Sequence, residues 1–323
     1  MLLGFDIGGT KCAVILGEGS GGQRMDVLER VELPTNQPVY EMIESLFGVA
    51  GDMLARRGVG LSEVDGVGIS CGGPLSSVHG LILSPPNLPG WDRIPIVEMA
   101  EKRFGVKTLL QNDANACAMA EHRFGAGVGY RNVVFLTFGT GMGAGLILDG
   151  RLYSGVSDLA GEVGHMRLAE MGPVGFGKAG SFEGFCSGGG IAQLAQTKVR
   201  AKLQMGQKVS FCSSLDELPG LTAKIVAEAA FAGDATALAI YRECGHWLGR
   251  GLSLLIDILN PEVIILGSIF GRSAALMEPY MTAAIAEEAL ADSRAACRIV
   301  PAALGEQIGD MAALTLAEMC KIA

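Results

Sequence analysis

Chemistry in this chain concentrates where glycine interrupts apolar runs. Val133–Phe138 is apolar, then breaks into Gly139-Thr140-Gly141-Met142-Gly143-Ala144-Gly145, and a second apolar run follows at 146–148. Lacking a Cβ, glycine lets backbone N–H groups approach a bulky anion, and successive amides turned into one loop form an anion nest. The start of the chain repeats this arrangement: Leu2–Ile7, then Gly8-Gly9-Thr10, then apolar residues at 13–16. In P-loop and Rossmann fingerprints the glycine turn opens a helix. Here each opens a second strand, so both are glycine hairpins. Either alone is also explained as a tight turn. The pair, about half a domain apart, suggests an internal duplication able to hold a nucleoside triphosphate from both sides of one cleft.

Asn112 and Asp113 close a short apolar strand and stand directly before a helix-like stretch, ANACAMAEHRF over 114–124. Open α/β sheets place ligand groups at the carboxyl ends of their strands, and a helix N-terminus faces any anion there. Aspartate is also a favoured N-cap, so position alone leaves both roles open. Glu162 and His165, flanked by Gly161 and Gly164, follow the second hairpin in a stretch with little helical pattern. A lone histidine is often a structural group; polar side chains in this place would also suit a polyhydroxyl ligand.

The elements that must carry these residues alternate. A strand near 25–33 follows the first hairpin. A helix over 39–57 shows apolar residues at three- and four-residue spacing. A buried strand over 64–70 ends in Cys71-Gly72-Gly73-Pro74, and the proline-rich stretch 84–92 reads as a loop. A helix over Ile96–Phe104 leads to a strand over 108–111. Beyond the second hairpin, a glycine-rich loop spans 172–190. Helices are expected over 190–203, 221–233 and 235–260, a buried strand over 261–268, a helix over 274–290, a strand over Arg298–Pro301 and a last helix over 309–320. No Ser/Pro-rich linker interrupts the chain.

With 323 residues, 49% of them hydrophobic and 18% charged, the chain can fill one large or two ordinary α/β cores. A net charge of −9, with no Lys/Arg run longer than two, argues against a nucleic-acid partner. Asp6 inside the first strand and the missing basic n-region argue against an export signal. Asp257 and Asn260-Pro261-Glu262 disqualify the longest apolar stretch as a membrane span. Eight scattered cysteines without a C-x-x-C pair read as reduced, mostly buried thiols, and the expected location is the cytoplasm.

Taken together, the motifs resemble the ROK sugar kinases, a family of kinases and repressors sharing the two-lobed fold of actin and hexokinase. The carriers are Asp6-x-Gly8-Gly9-Thr10-Lys11, Pro86-Asn87-Leu88, Asn112-Asp113-Ala114-Asn115, Phe138-Gly139-Thr140-Gly141-x-Gly143-x-Gly145, Gly161-Glu162-x-Gly164-His165, Glu183 and Asn260-Pro261-Glu262-x-Ile264-x-Leu266-Gly267. They span essentially the whole chain. The resemblance implies an α/β, actin-like ATPase or ribonuclease H-like fold with duplicated mixed sheets and an interlobe cleft. A small lobe of 1–115 plus 303–323 and a large lobe of 116–302 are expected. It also implies ATP-dependent phosphorylation of a sugar hydroxyl. Asp113 matches the general base that takes the hydroxyl proton. Asn87, Asn112, Glu162, His165 and Glu183 match sugar ligands. Gly8, Gly9, Thr10, Lys11, Gly139, Thr140 and Gly141 fall where the phosphates lie, Asp6 near Mg²⁺ through water, and Gly267-Ser268 at the adenosine end. A homodimer is expected, with no nucleic-acid or membrane partner.

The chain departs from that family in two places. The family's zinc loop, C-x-C-G-x-x-G-C-x-E, reads here with Val174, Phe176 and Ser181 in place of its three cysteines. A structural zinc needs about four N or S ligands, so no zinc site is expected. The loop should instead be held by packing of Phe176, Phe182 and Phe185. Ser268 replaces a usual second glycine. Three other functions are less well matched. A repressor would need a DNA-binding module ahead of the Asp6 strand. A catalytically silent sugar sensor would be expected to have lost Asp113 or the hairpin glycines. An actin-like ATPase would lack Glu162, His165 and Glu183.

Overall fold

The computed structural model describes residues 1–19, 24–139 and 141–321. In chain order the elements are β1 (Leu2–Ile7), β2 (Lys11–Gly19), β3 (Met25–Pro34), α1 (Val39–Arg56), β4 (Gly66–Cys71), the small hairpin β5 (Leu75–Ser76) and β6 (Leu81–Ile82), α2 (Ile96–Phe104), β7 (Thr108–Asn112) and α3 (Asp113–Phe124). There follow β8 (Val133–Phe138), β9 (Met142–Leu148), β10 (Arg151–Leu152), the second small hairpin β11 (Val174–Gly175) and β12 (Lys178–Ala179), α4 (Phe182–Cys186), α5 (Gly188–Gln204), α6 (Ala223–Phe231) and α7 (Ala235–Leu259). The chain ends with β13 (Val263–Leu266), α8 (Ile269–Glu288), α9 (Ala291–Ala296), β14 (Arg298–Pro301) and α10 (Ile308–Met319). Two five-stranded sheets result, with strand orders β3-β2-β1-β4-β7 and β10-β9-β8-β13-β14.

By its contacts the chain divides into two units. One comprises Met1–Phe135, Gly145–Ala160 and Ala303–Ala323; the other comprises Leu136–Ala144 and Gly161–Ala302. The boundary expected at 115/116 falls inside α3, within the first unit.

In the first unit, β1 runs antiparallel to β2 and parallel to β4, and β4 runs parallel to β7. Side chains alternate across a strand, and that alternation decides where Asp6 goes. Leu3, Phe5 and Ile7 join the core with Met42, Ile43 and Phe47 of α1. Phe5 and Phe104 each meet Phe47 edge-on, with centroids 5.6 and 5.2 Å apart. Gly4 and Asp6 project to the other face, where α10 lies. Glycines there let the helix sit almost on the sheet: a Cβ on Gly68 would come within 2.0 Å of the Ala313 carbonyl oxygen. Small residues on α10, Ala312, Ala313 and Ala317, complete the fit.

In the second unit α7 is the spine. Asp234 caps it, accepting from the N–H groups of Thr236 and Ala237 at 2.8 and 3.0 Å. Asn260 ends it in the left-handed region at φ 43, and Pro261 prevents its continuation. Against α7 lies the loop expected to need packing in place of zinc. Phe182 is fully buried against Gly251, and Phe185 stacks on Trp247 at 4.2 Å. Phe176 corrects the expectation: it is 70% exposed and touches His165 edge-on at 5.3 Å.

Other boundaries also differ. α8 begins at Ile269, five residues early, because residues either side of a non-helical Ser273 form one kinked element. The short helix α4 lies inside the expected glycine-rich loop, and α9 falls between the expected helix over 274–290 and the strand at Arg298. Six of the cysteines are buried, Cys117 and Cys297 are partly so, and all eight are unpaired. No helix among the described residues is long and apolar enough to cross a membrane.

Candidate active site

The first unit gathers Asp6, Asn87, Asn112, Asp113 and the hairpin Gly8–Lys11. Strand β7 delivers Asn112 and Asp113 beside the end of β4, where Cys71 pairs with Asn112, while Ser70 pairs with Asp6 across β1 and β4. Asn112, rather than Asp113, is the N-cap of α3. Its Oδ1 accepts from the N–H groups of Ala114 at 3.0 Å and Asn115 at 3.5 Å. That leaves Nδ2 of Asn112, which lies 3.2 Å from where a Cβ on Gly73 would stand. Asp113 is the first residue of the helix and also accepts from the Ala114 N–H, at 2.8 Å. Cap and carboxylate are therefore two adjacent residues, and the cap does not consume Asp113.

Asp113 is exposed, yet loss of solvation among the protein around it lifts its carboxyl above the usual range, opposed by the Ala114 N–H. These two observations describe a recessed group, and accessible surface decides whether another molecule can reach it. Asp6 is pushed up to about 6, first by lost solvation, then by the charges of Asp113 and Asp310. Arg30 and the Ser70 hydroxyl act against that shift. Asp310, in the first turn of α10, accepts from Arg30 Nε at 2.9 Å, and Gly309 leaves room for Asp6, whose Oδ2 lies 3.0 Å from a Cβ placed there. Asp310 and Arg30 were missed in the sequence. The available signal was an acidic residue in the first turn of the last helix, right after a glycine.

The glycine hairpin between β1 and β2 has a packing reason of its own. A Cβ on Gly9 would stand 2.2 Å from the Asn87 carbonyl oxygen, so Gly9 lets the 86–88 loop lie against the hairpin. Asn87 itself is exposed. The Gly8 carbonyl accepts from Thr35 Oγ1 at 2.7 Å, and the Gly8 N–H donates to the Lys11 carbonyl at 3.2 Å. The Thr10 carbonyl accepts from the Thr35 N–H. Lys11 pairs with Glu32 at 2.8 Å, but its side chain is 60% exposed, so the pair is weak and readily exchanged.

The second unit gathers Gly139, Gly141, Glu162, His165, Glu183, Gly267 and Ser268; Thr140 lies outside the described residues. The Gly161 carbonyl accepts from the Ala144 N–H at 2.9 Å, and a Cβ on Gly161 would strike the Ala144 oxygen at 2.0 Å. This contact ties the Glu162–His165 segment to β9. Glu162 is exposed and His165 half-buried, with the His165 carbonyl accepting from Lys178 Nζ at 2.8 Å. Glu183 projects from α4, whose cap is Ser181. Its Oε2 accepts from the Met142 N–H, directly after the second hairpin, at 2.9 Å. The Gly139 carbonyl accepts from the Gly188 N–H at the start of α5. Gly267 donates to the Leu136 carbonyl at 2.8 Å. Ser268, exposed, is held at φ 52, ψ −117, and its Oγ is 2.9 Å from Thr137 Oγ1. A surface depression of about 390 Å³ between α5, α7 and α8, lined by Lys198, Arg242, His246 and Tyr280 among others, contains none of these residues.

Comparison with known proteins converges on one family. The ROK family profile matches residues 2–319. A glucokinase of Streptomyces coelicolor is 31% identical over 269 residues, covering 83% of this chain and 81% of its own. An N-acetylmannosamine kinase of Shigella boydii is 31% identical over 283 residues, covering 86% and 87%. The structure of a ROK family glucokinase from Streptomyces griseus, in complex with glucose and AMPPNP, superposes with a TM-score of 0.75 at 29% identity, covering 98% of this chain and 99% of that one. The fold is accordingly the actin-like ATPase fold of the ROK kinases. With a family profile spanning nearly every residue, and relatives this similar along most of their length, the chain belongs to the ROK family.

Proposed function

We propose that this chain is an ATP-dependent sugar kinase that transfers the γ-phosphoryl group to a sugar hydroxyl, the 6-hydroxyl of glucose or of a related hexose or N-acetylhexosamine. The observation that carries this is Asp113: an exposed carboxylate at a strand-to-helix junction, released from capping by Asn112 and raised above its ordinary range. A hydroxyl is a weak nucleophile, and a base with a raised pKa is better matched to its proton near neutral pH. The sugar oxygen forms a bond to the γ-phosphorus as the bond between that phosphorus and the β–γ bridging oxygen breaks. ADP departs, and the hydroxyl proton passes to the Asp113 carboxylate.

Asn87, the Asn112 amide nitrogen, Glu162, His165 and Glu183 are assigned to the sugar hydroxyls. The hairpins at Gly8–Lys11 and Gly139–Gly141 are assigned to the phosphates, and Gly267-Ser268 to the adenosine end. Among the described residues no three His, Cys, Asp or Glu side chains are placed to hold a metal ion. Mg²⁺ suits such a place, because it is commonly bound by one or two carboxylates with phosphate oxygens and water. Asp6, which faces the charges of Asp113 and Asp310, is the carboxylate that would hold it, through water, and the cation would supply positive charge against that repulsion.

The test is ADP release with MgATP across hexoses, N-acetylhexosamines and β-glucosides, with Asp113→Ala as the control. Turnover on one sugar, lost in the variant, is the expected result. No turnover on any sugar, with sugars still raising the melting temperature, would identify a sugar-binding regulator instead.

A further inference from the structure

Glu183 is assigned above to the sugar, but its carboxylate already has a partner of a different kind. Oε2 accepts from the Met142 N–H at 2.9 Å, the first amide of β9 after the second glycine hairpin. Glycines allow this approach from every side. A Cβ on Gly141 would stand 3.0 Å from the same Oε2. One on Gly164 would strike the Met142 carbonyl at 2.5 Å and press on the Glu183 Cβ at 3.2 Å. One on Gly175 would meet the Glu183 Cβ at 2.8 Å. The hairpin, the Glu162–His165 segment and the β11–β12 hairpin thus converge on one side chain. Glu183 is held firmly as well: its own carbonyl accepts from the Ser187 N–H at 2.9 Å, and Ser181 caps its helix.

We propose that Glu183 is a positioning residue for the nucleotide: through the Met142 amide it braces the start of β9, beside Gly141, so one carboxylate serves both the sugar and the phosphate-binding stretch. This rests on the assignment of that stretch to the nucleotide phosphates. A glycine-rich turn has many backbone conformations to lose when it orders around a ligand, and an anchored strand end removes part of that cost before binding. A carboxylate acceptor makes one of the stronger kinds of hydrogen bond to an amide. Two effects compete in the variants. Removing the brace weakens nucleotide binding, whereas removing a negative charge near phosphates strengthens it.

Calorimetric titration with a non-hydrolysable ATP analogue and Mg²⁺, without sugar, separates these effects. Glu183→Ala should bind the analogue about tenfold more weakly than wild type, the loss of one charge-assisted hydrogen bond. Glu183→Gln keeps an acceptor and sheds the charge, so it should stay within about threefold. Glu228→Gln removes an exposed carboxylate from α6, outside the candidate site, and should leave analogue binding unchanged. Far-ultraviolet circular dichroism checks that each variant is folded. Analogue binding by Glu183→Ala that matches or exceeds wild type overturns the brace, as does an equal loss in Glu228→Gln. A wild-type protein that binds the analogue but phosphorylates no sugar sinks the kinase assignment alone, and the same titrations still decide the brace. A wild-type protein that binds no nucleotide overturns both.

Discussion

Glu121 gives the sharpest stability prediction, because its geometry leaves little room for compensation. It lies on α3, the helix that begins with Asp113, and is 0% exposed. Its Oε1 accepts from the Leu304 N–H at 2.9 Å and its Oε2 from the Ala126 N–H at 2.7 Å. One carboxylate therefore closes the end of α3 and fastens the returning C-terminal segment. Each such bond to a charged acceptor contributes roughly 1.5–3 kcal/mol. Glu121→Gln preserves shape and one acceptor, but turns an NH₂ group toward a backbone N–H. The expected cost is about 2–4 kcal/mol. Glu121→Ala leaves both amides buried without acceptors and opens a cavity, at about 4–6 kcal/mol. Urea unfolding at pH 7 reads both from the midpoint. Turnover per folded molecule should stay within about threefold, because Asp113 stands roughly 12 Å away along the helix axis and is set by β7 and the Asn112 cap. If Glu121→Gln unfolds within about 0.5 kcal/mol of wild type, the acceptor argument is refuted, and packing alone explains the site.

Three further outcomes are expected. Because Asp113 must be deprotonated to accept a proton and its pKa is raised, activity should be full at high pH and fall as pH drops through a value above the ordinary aspartate value of about 3.9; an acid limb in kcat/KM at or below that value contradicts the assignment. Gly9→Ala puts a Cβ 2.2 Å from the Asn87 oxygen, so it should cost about 1–3 kcal/mol and raise KM for the sugar as the Asn87 loop shifts; unchanged unfolding and KM would mean the loop yields freely. Ser268→Gly relieves a side chain held at φ 52, ψ −117, a strain of about 1–3 kcal/mol, against a lost exposed hydroxyl contact and the greater freedom of unfolded glycine. A net gain near 0.5–1 kcal/mol should appear as a melting temperature higher by roughly 1–3 °C, and a lower one refutes the strain.

Local patterns carried much of the architecture. The apolar spacing that marks α1, the largely apolar run of β8, and the Asn260-Pro261 stop after α7 are properties of near neighbours along the chain, so they can be read without knowing what each element touches. Where near neighbours disagree, the reading slips: α8 begins at Ile269 rather than 274, with Gly271 in its first turn, a kink at Ser273, and Ile269 and Phe270 buried. Phe176 illustrates the same limit. Its apolar character suggested a core position, yet the backbone at φ 42 turns it outward.

For the candidate site, the sequence by itself determined which residues are proposed to carry chemistry: two glycine hairpins, the Asn112-Asp113 pair, and Glu162, His165 and Glu183 are legible as types at characteristic spacings. Tertiary structure alone decided how their capacity is shared out. Which of two adjacent polar residues caps α3 depends on the backbone, which is extended at Asn112 (φ −57, ψ 142) and helical from Asp113. Gly9 is required by the Asn87 backbone, far away in the chain. Asp6 meets Asp310 because the pleat of β1 turns it toward α10. Glu183 reaches the Met142 amide across 41 residues. Hydrogen bonding and electrostatics act over a few ångströms of space, and chain folding sets those distances between residues that sequence order keeps apart.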